Sequence, residues 1–218
     1  MISFLSSLAT FLEPFEQVEA DDGYLGEAPL RVKCPAANYY QSLIGIMRWM
    51  AEIGGIDIAI NTVGMVLKKP FVETTEKEYD VMSDVNSKVA YFFIQEAGKK
   101  LNDNGKICSI VTSLLAAYTG YYSTYEGMKA PVEHFTRAAS KEFGNRGISV
   151  TAVAPGPMDT PFFYGQEGED AVAYHKSASA LGGLTDIKDI APLVEFLVSD
   201  GWWITGQTIF ANGGYTTR

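Results

Sequence analysis

From residue 30 onward, short apolar runs alternate with longer stretches of helical spacing, and this alternation constrains the fold more than any other feature. Alternation of this kind predicts βαβ units, in which a mostly parallel sheet is covered by helices on both faces. The sequence therefore predicts an α/β fold with a doubly wound parallel sheet. The predicted strands are residues 30–34, 56–61, 106–112, 148–154 and 207–211, and the predicted helices are residues 39–53, 74–101 (in two pieces), 122–143 and 185–198.

The last predicted helix has Thr185 as a plausible N-cap and Asp186 in its first turn. The chain has 218 residues, of which 47% are hydrophobic. This is enough for one well-packed domain, and no repeat or linker divides the chain, so residues 1–218 are interpreted as one domain. Residues 1–29 do not follow the alternation and are predicted to form an amphipathic helix kinked near Pro14. The apolar residues of that helix are Phe4, Leu8, Phe11, Phe15 and Val18.

The composition excludes several classes of function. The formal net charge of −9 opposes binding to nucleic acid or to an anionic membrane, and no apolar run reaches the ~18 residues of a membrane span. Cys34 and Cys108 do not form a disulfide framework, so the reducing cytoplasm is the expected location. His134 and His175 lie far apart, and no metal site is expected. A small-molecule partner is the remaining expectation.

Tyr125 and Lys129 form the first chemically informative pair. Residues four apart share a helix face, and a nearby ammonium lowers the pKa of a phenol, which makes it usable as a proton donor. Ser113 ends a predicted strand, where sites in parallel sheets place their polar groups. Asn86 interrupts an otherwise favourable helical stretch, where it could break the helix and hold a water. Each of these residues also has a purely structural interpretation as a strand-end or solvent-facing polar group.

Five short motifs in a fixed order resemble the short-chain dehydrogenase/reductase family, and most of all its 3-oxoacyl-[acyl carrier protein] reductase-like members. The resemblance runs from about residue 30 to Arg218 and implies a Rossmann-like sheet. The motifs are Asn61-Thr62-Val63-Gly64 after a strand, the set Asn86, Ser113, Tyr125 and Lys129, the stretch Pro155-Gly156-Pro157-Met158-Asp159-Thr160, then Thr205-Gly206-Gln207, and finally Asn212-Gly213-Gly214.

This resemblance implies an oxidoreductase that transfers a hydride between NADP or NAD and a carbonyl or alcohol substrate. Tyr125 would protonate the carbonyl oxygen, Lys129 would bind the nicotinamide ribose, and Asn86 would hold a relay water. Ser113 would orient the substrate oxygen, although the family's spacing to Tyr125 fits Thr112 better, and both hydroxyls remain open. The residues expected to bind the cofactor are Asn61, Gly64, Tyr125, Lys129, Pro155, Gly156, Met158 and Thr160.

The family's glycine-rich phosphate loop has no match in this sequence. Such a loop binds pyrophosphate through backbone N–H groups at a helix start, but Gly23 and Gly26 lie in an acidic stretch without a preceding strand. A βαβ unit needs ~30 residues, so at least one N-terminal βα unit is expected to be missing or replaced. Three explanations stay open: an incomplete version of a full enzyme, a degraded paralogue, or a stable protein whose segment 1–29 covers the gap. In the family, the segment after the second strand sets the choice between NAD and NADP, and this segment belongs to the part that has no match in this sequence.

Residues 161–183 are expected to form a long mobile loop that acts as a lid over the substrate, as in relatives. Relatives also pair the helices around residues 89–97 and 132–143 between subunits, which implies a homodimer or homotetramer. One alternative is a cofactor-deficient family member that serves only as an oligomer subunit or is an inactive remnant. Another is an epimerase or dehydratase, which the proline-glycine motif disfavours. The candidate substrate contacts of the lid are Phe162, Phe163, Tyr164 and Tyr174.

Overall fold

The structure is a computed structural model, and it describes residues 55–217. The predictions made for segment 1–29, for the strand at 30–34 and for the helix at 39–53 lie outside the described residues. So do Cys34 and the question of what replaces the phosphate loop.

Within residues 55–217, four parallel strands form one sheet in the order β1-β2-β3-β4, which is also their order along the chain. This arrangement confirms the predicted α/β fold with a parallel sheet. Strand β2 begins at Leu101 rather than at residue 106, and it ends at Ile110, so that Thr112 lies beyond the strand. The strands are β1 (Ile56–Asn61), β2 (Leu101–Ile110), β3 (Ser149–Pro155) and β4 (Thr208–Ala211).

The predicted helix at 74–101 consists of two α-helices joined by one π-helical turn, so the prediction of two pieces is confirmed. Thr75 caps the first of them, because its hydroxyl accepts a hydrogen bond from the Glu78 backbone N–H while the Glu78 carboxylate accepts one from the Thr75 N–H. The helices are α1 (Glu76–Ser83), the π-turn (Asp84–Lys88), α2 (Val89–Lys100), α3 (Ser123–Phe143), α4 (Pro161–Tyr164), α5 (Glu169–Ala178) and α6 (Ile187–Leu197).

Two details of the sequence prediction are wrong in the C-terminal half. The N-cap of α6 is Asp186 and not Thr185, because the Asp186 carboxylate accepts a hydrogen bond from the Lys188 N–H at 2.9 Å. The backbone N–H of Thr185 instead donates to Pro157. The segment 161–183 is also not a plain loop, since it contains α4 and α5. Helix α5 escaped prediction because it buries no residue and therefore has no apolar stripe.

Apolar side chains from both faces of the sheet form the core. On one face, Ile107 and Val150 pack with Phe93 of α2 and Ala139 of α3. On the other face, Cys108 and Val153 pack with residues of α6 such as Val194, and β3 is buried along its whole length. A central parallel strand covered on both sides is expected to be apolar throughout. No helix within residues 55–217 is long and apolar enough to cross a membrane.

Candidate active site

The predicted site residues meet at the carboxyl ends of the parallel strands, next to the N-terminal half of α3. Asn61 ends β1, Thr112 and Ser113 follow β2, and Pro155 ends β3. Asn61, Thr112 and Ser113 are all buried. In open α/β sheets, ligands bind outside the carboxyl ends of the strands. The chain therefore gathers its polar groups at the edge where such a fold forms a site.

Lys129 is a buried ammonium, with only 4% of its surface exposed. Its Nζ donates hydrogen bonds to the backbone carbonyl oxygens of Val63 at 3.0 Å and Ile110 at 3.1 Å. Burial lowers the pKa of Lys129 to about 8, because the charged form loses its hydration. The side chain thus joins the loop after β1 to the end of β2 and brings a cation to the site at neutral pH.

Tyr125 lies in the same buried region, and 8% of its surface is exposed. Burial raises its pKa to about 12, although a hydrogen bond with the Thr112 side chain acts in the opposite direction. The expectation that Lys129 lowers the pKa of Tyr125 is therefore not met, since the ammonium bonds to backbone carbonyls and desolvation dominates at the phenol. Tyr125 keeps its proton at neutral pH, as a proton donor must.

The Thr112 hydroxyl hydrogen-bonds to Tyr125, which bears on the alternative between Thr112 and Ser113. The Thr112 Oγ1 also accepts a bond from the Leu114 N–H at 3.3 Å. Ser113 is buried beside it, and its backbone oxygen accepts a bond from the Thr216 hydroxyl at 3.4 Å. The effect of the Thr112 side chain on the pKa of Tyr125 makes Thr112 the hydroxyl that we expect to act together with Tyr125.

Asn86 lies in the π-turn and is 1% exposed. Its Oδ1 accepts a bond from the Met65 N–H at 3.0 Å, and its Nδ2 donates to the Met65 oxygen at 2.9 Å and to the Met82 oxygen at 3.1 Å. Met65 and Met82 pack around Tyr125. A π-turn inside a helix often marks a functional position, and here it turns Asn86 toward the loop after β1.

Gly64 leaves room between the two polar side chains that converge on this loop. A Cβ atom at position 64 would lie 2.9 Å from the Lys129 Nζ and 3.3 Å from the Asn86 Oδ1. The absence of a side chain therefore keeps a polar cradle open beside Lys129. Asn61 shapes the start of the same loop, because its Oδ1 accepts a bond from the Val63 N–H at 3.1 Å.

The segment after β3 contributes the expected cofactor residues that lie away from the loop after β1 in the sequence, namely Gly156, Met158 and Thr160. Gly156 is held tightly, because a Cβ there would lie 2.7 Å from the Thr185 Oγ1 and 3.1 Å from the Asn212 Cβ. Met158 pairs with Thr185 through an isolated bridge. Thr160 is buried and directly precedes α4.

The expected nicotinamide cofactor fits one end of this arrangement. The glycine cradle beside Lys129, the buried Tyr125 and the end of β3 lie together where the ring and its ribose would be held. What would bind the adenine and pyrophosphate concerns residues outside the described part of the chain, where the sequence has no match to the family's glycine-rich loop. Within residues 55–217, no group of three or more His, Cys, Asp and Glu side chains could hold a metal ion.

Of the four aromatic residues expected to contact substrate, only Phe162 has a ring near that of Tyr125, at 6.2 Å between centroids. Phe163 packs on His175, and the hydroxyl of Tyr164 donates to Asp159 at 2.7 Å. Tyr174 is largely exposed. The aromatic cover over Tyr125 is therefore narrower than the sequence suggested.

Sequence reasoning missed a second buried polar cluster next to the site. Its centre is the Glu167 carboxylate, which contacts Lys68, Tyr122 and His175. No sequence signal marks Glu167, since it lies in a glycine- and acid-rich stretch that looks like exposed loop. Only the folded chain brings residues 68, 122, 167 and 175 together.

A family model described as "Enoyl-(Acyl carrier protein) reductase" matches residues 17–216 of the chain. A short-chain type dehydrogenase/reductase of Picea abies is 34% identical over 166 residues, covering 74% of this chain and 61% of that protein. NADPH-dependent aldehyde reductase 2 of Arabidopsis thaliana, a chloroplastic protein, is 38% identical over 139 residues, covering 62% of this chain and 51% of that protein. The chain thus spans less than two thirds of the length of these two relatives.

A solved structure of a dehydrogenase from Burkholderia cenocepacia with bound NADP is similar as well. It superposes with a TM-score of 0.78 at 63% sequence identity, over 84% of this chain and 70% of that chain. The two proteins are therefore similar in both fold and amino-acid sequence.

Proposed function

Since this chain belongs to the short-chain dehydrogenase/reductase family, we propose that it is an NADP- or NAD-dependent oxidoreductase that interconverts a carbonyl and an alcohol. The observation that carries the proposal is the buried pair Tyr125 and Lys129 beside the Thr112 hydroxyl, at the carboxyl edge of a parallel sheet. Burial of a phenol and an ammonium costs free energy, so their place beside each other at this edge supports a role in chemistry.

In the proposed reaction, Tyr125 donates its proton to the carbonyl oxygen of the substrate as negative charge develops there. A phenol with a pKa of about 12 is a stronger acid than the aliphatic alcohol that forms, so transfer of its proton to the developing alkoxide is downhill. Thr112, or Ser113 next to it, fixes the position of the substrate oxygen. When bound, the nicotinamide supplies the hydride.

Lys129 would hold the ribose of the cofactor in this proposal. Its ammonium already lies in the cradle left by Gly64, where hydroxyl groups could replace one of its backbone partners. Asn61, Pro155, Gly156, Met158 and Thr160 would line the nicotinamide pocket. Asn86 holds the loop that forms the pocket wall, and a relay water near it stays a proposal.

NADP is the cofactor favoured by the comparisons. The solved relative from Burkholderia cenocepacia has NADP bound, and the Arabidopsis relative is described as NADPH-dependent. The substrate would be a small carbonyl compound, and 3-oxoacyl thioesters are one class to test. A cytoplasmic homodimer or homotetramer remains part of the proposal.

The test is a titration of the purified 218-residue chain with NADPH and NADH, followed by cofactor fluorescence and by consumption of reduced cofactor with a panel of carbonyl compounds. We expect micromolar binding of NADPH and stoichiometric oxidation when a carbonyl substrate is present. Absence of binding at millimolar cofactor would contradict the proposal. It would support the second candidate, a cofactor-deficient family member that acts only as a subunit.

The two neighbouring hydroxyls can be separated by single substitutions. We expect Thr112→Ala to lower kcat by about 100-fold, because the hydroxyl that contacts Tyr125 stabilises charge only in the transition state. We expect Ser113→Ala to lower kcat by less than about tenfold. The kcat values of both variants show which hydroxyl acts with Tyr125. A larger loss of kcat for Ser113→Ala than for Thr112→Ala would support Ser113 in the role that the sequence suggested.

A further inference from the structure

The carboxylate of Glu167 is fully buried and joins three separate segments of the chain. Its Oε2 lies 2.6 Å from the Nζ of Lys68, in the loop after β1. Its Oε1 accepts a hydrogen bond from the hydroxyl of Tyr122, the residue just before α3, and lies 3.6 Å from the Nε2 of His175 on α5. Glu167 itself lies between α4 and α5.

The charges in this cluster are consistent with a carboxylate that is bound on all sides. Burial alone would raise the pKa of Glu167, but the hydrogen bonds from Lys68 and Tyr122 outweigh it and lower the pKa below its ordinary value. Burial and the neighbouring carboxylate raise the pKa of Tyr122, so Tyr122 remains a donor. Glu167 is therefore an ionised acceptor that two donors hold in place.

Further contacts hold the same segment in the same position. The Lys68 N–H donates to the Gln166 Oε1 at 3.2 Å. The Nδ1 of His175 lies 2.8 Å from the hydroxyl of Tyr215, near the end of the described chain. The lid segment 161–178 is thus fixed to the loop after β1, to the start of α3 and to the C-terminal turn.

The contacts of Glu167 help to hold the Phe162 ring near the ring of Tyr125. Tyr122 lies one helical turn before Tyr125, so the group that holds the lid is on the same face of the chain as the proton donor. Helix α4 ends shortly before Glu167, and its Phe162 ring lies 6.2 Å from the Tyr125 ring. If Glu167 leaves its partners, the covering ring is no longer fixed.

Separating Glu167 from its partners is costly while its side chain stays fully buried, because the carboxylate is then left unpaired in a poorly hydrated site. The lid is consequently expected to have two states, one with Glu167 bound and one with Glu167, Lys68 and the lid all hydrated. Intermediate positions would leave the Glu167 carboxylate buried and without its partners, whereas the Lys68 ammonium already reaches solvent. Such a two-state segment can admit substrate in one state and exclude water in the other.

We propose that Glu167 is a positioning residue. By binding both Lys68 and Tyr122, its carboxylate holds the lid segment 161–178 over the site, and we call this attachment the clasp. Its role as a substrate gate rests on the proposed reductase function, whereas its role in holding the lid does not. The structural part can therefore be tested without cofactor or substrate.

The experiment is hydrogen–deuterium exchange of the 218-residue chain, with Glu167→Gln compared to the unchanged protein. We expect amide exchange in residues 161–178 to rise at least about tenfold, while exchange in α3 and α6 stays the same. Glu78→Gln is the matched control, because it removes a lysine–glutamate pair of similar length, Lys69–Glu78 at 2.8 Å, that does not involve the lid. The control should leave exchange of the lid unchanged.

A milder variant covers the case in which Glu167→Gln does not fold. Tyr122→Phe removes only the hydroxyl that binds Glu167 and keeps the ring in its apolar cluster. We expect the same local rise in exchange, of smaller size. Unchanged lid exchange in the folded variants, or an equal rise over all of residues 55–217, would overturn the proposal.

Kinetics give a separate readout of the gate. If the chain reduces a carbonyl substrate, Glu167→Gln should raise KM several-fold with a smaller change in kcat, because an open lid weakens substrate retention and leaves Tyr125 in place. A rise in exchange without any activity in the unchanged protein would support the clasp and contradict the reductase. If Glu167→Gln has an unchanged KM although amide exchange in residues 161–178 rises, the lid does not gate the substrate, and only the gating part of the proposal is overturned.

Discussion

Replacing Tyr125 by Phe is expected to lower kcat by at least about 1000-fold while the protein stays folded. The substitution removes the only atom that can donate a proton from this position, and general acid catalysis of this type contributes 100- to 10,000-fold. The ring remains in the cluster with Met82 and Tyr122, so the packing changes little. Turnover is measured with saturating reduced cofactor and a carbonyl substrate, and thermal unfolding is measured on the same samples.

Tyr118→Phe is the matched control for this substitution. Tyr118 is fully exposed in the loop that leads to α3, and removal of its hydroxyl should leave kcat within twofold. If Tyr125→Phe keeps more than about a tenth of the activity, another group protonates the substrate and the proposed role of Tyr125 is wrong. If Tyr125→Phe unfolds at a much lower temperature, the hydroxyl is mainly structural.

Replacing Asn86 by Ala is expected to destabilise the protein by about 3 kcal/mol and to lower activity at least tenfold. The side chain makes three hydrogen bonds to backbone atoms, and its loss leaves the Met65 N–H, the Met65 carbonyl and the Met82 carbonyl without this partner. A buried backbone group that loses its partner costs about 1–3 kcal/mol, part of which is recovered when water enters. The free energy of unfolding is measured by urea titration.

The loss of activity in Asn86→Ala has a separate cause. Met65 and Met82 pack around Tyr125, and Gly64 directly precedes Met65, so a displaced loop would disturb both Tyr125 and the cradle beside Lys129. Asn145→Ala, at an exposed turn after α3, serves as the control and should change stability by less than about 0.5 kcal/mol. An Asn86→Ala protein of unchanged stability would show that this asparagine does not hold the loop.

The fold was largely predictable because the buried part of each strand is a short apolar run, whereas the start of β2 was missed because residues 102–105 are polar or glycine. Strand β3 is buried throughout, and its run of small and apolar residues from residue 148 onward, with Ser149 and Thr151 as polar members, was visible in the sequence. Helix α3 has a regular apolar face and a glycine turn after it, and it begins within one residue of its predicted start. The segment 161–183 was misjudged because α5 is exposed and carries no periodic apolar signal.

The candidate site was predictable in part, because its residues are set by local spacing at strand ends. Tyr125 and Lys129 are one helical turn apart whatever surrounds them, and Ser113 and Thr112 follow a strand in any parallel sheet. The sequence could not say which of the two hydroxyls meets Tyr125, because that depends on how the backbone turns after β2. It also could not show that burial, and not the charge of Lys129, dominates the pKa of Tyr125.

The sequence by itself thus determined the α/β class, the approximate positions of the strands and the positions of the polar groups along the chain, since all of these follow from spacing and periodicity. Only the tertiary structure decided which groups become partners. The Glu167 cluster joins residues that are about 100 positions apart in the case of Lys68 and 45 in the case of Tyr122, and no local pattern encodes such a contact. Contacts of that range arise from packing of whole elements, which depends on the complete three-dimensional arrangement of the chain.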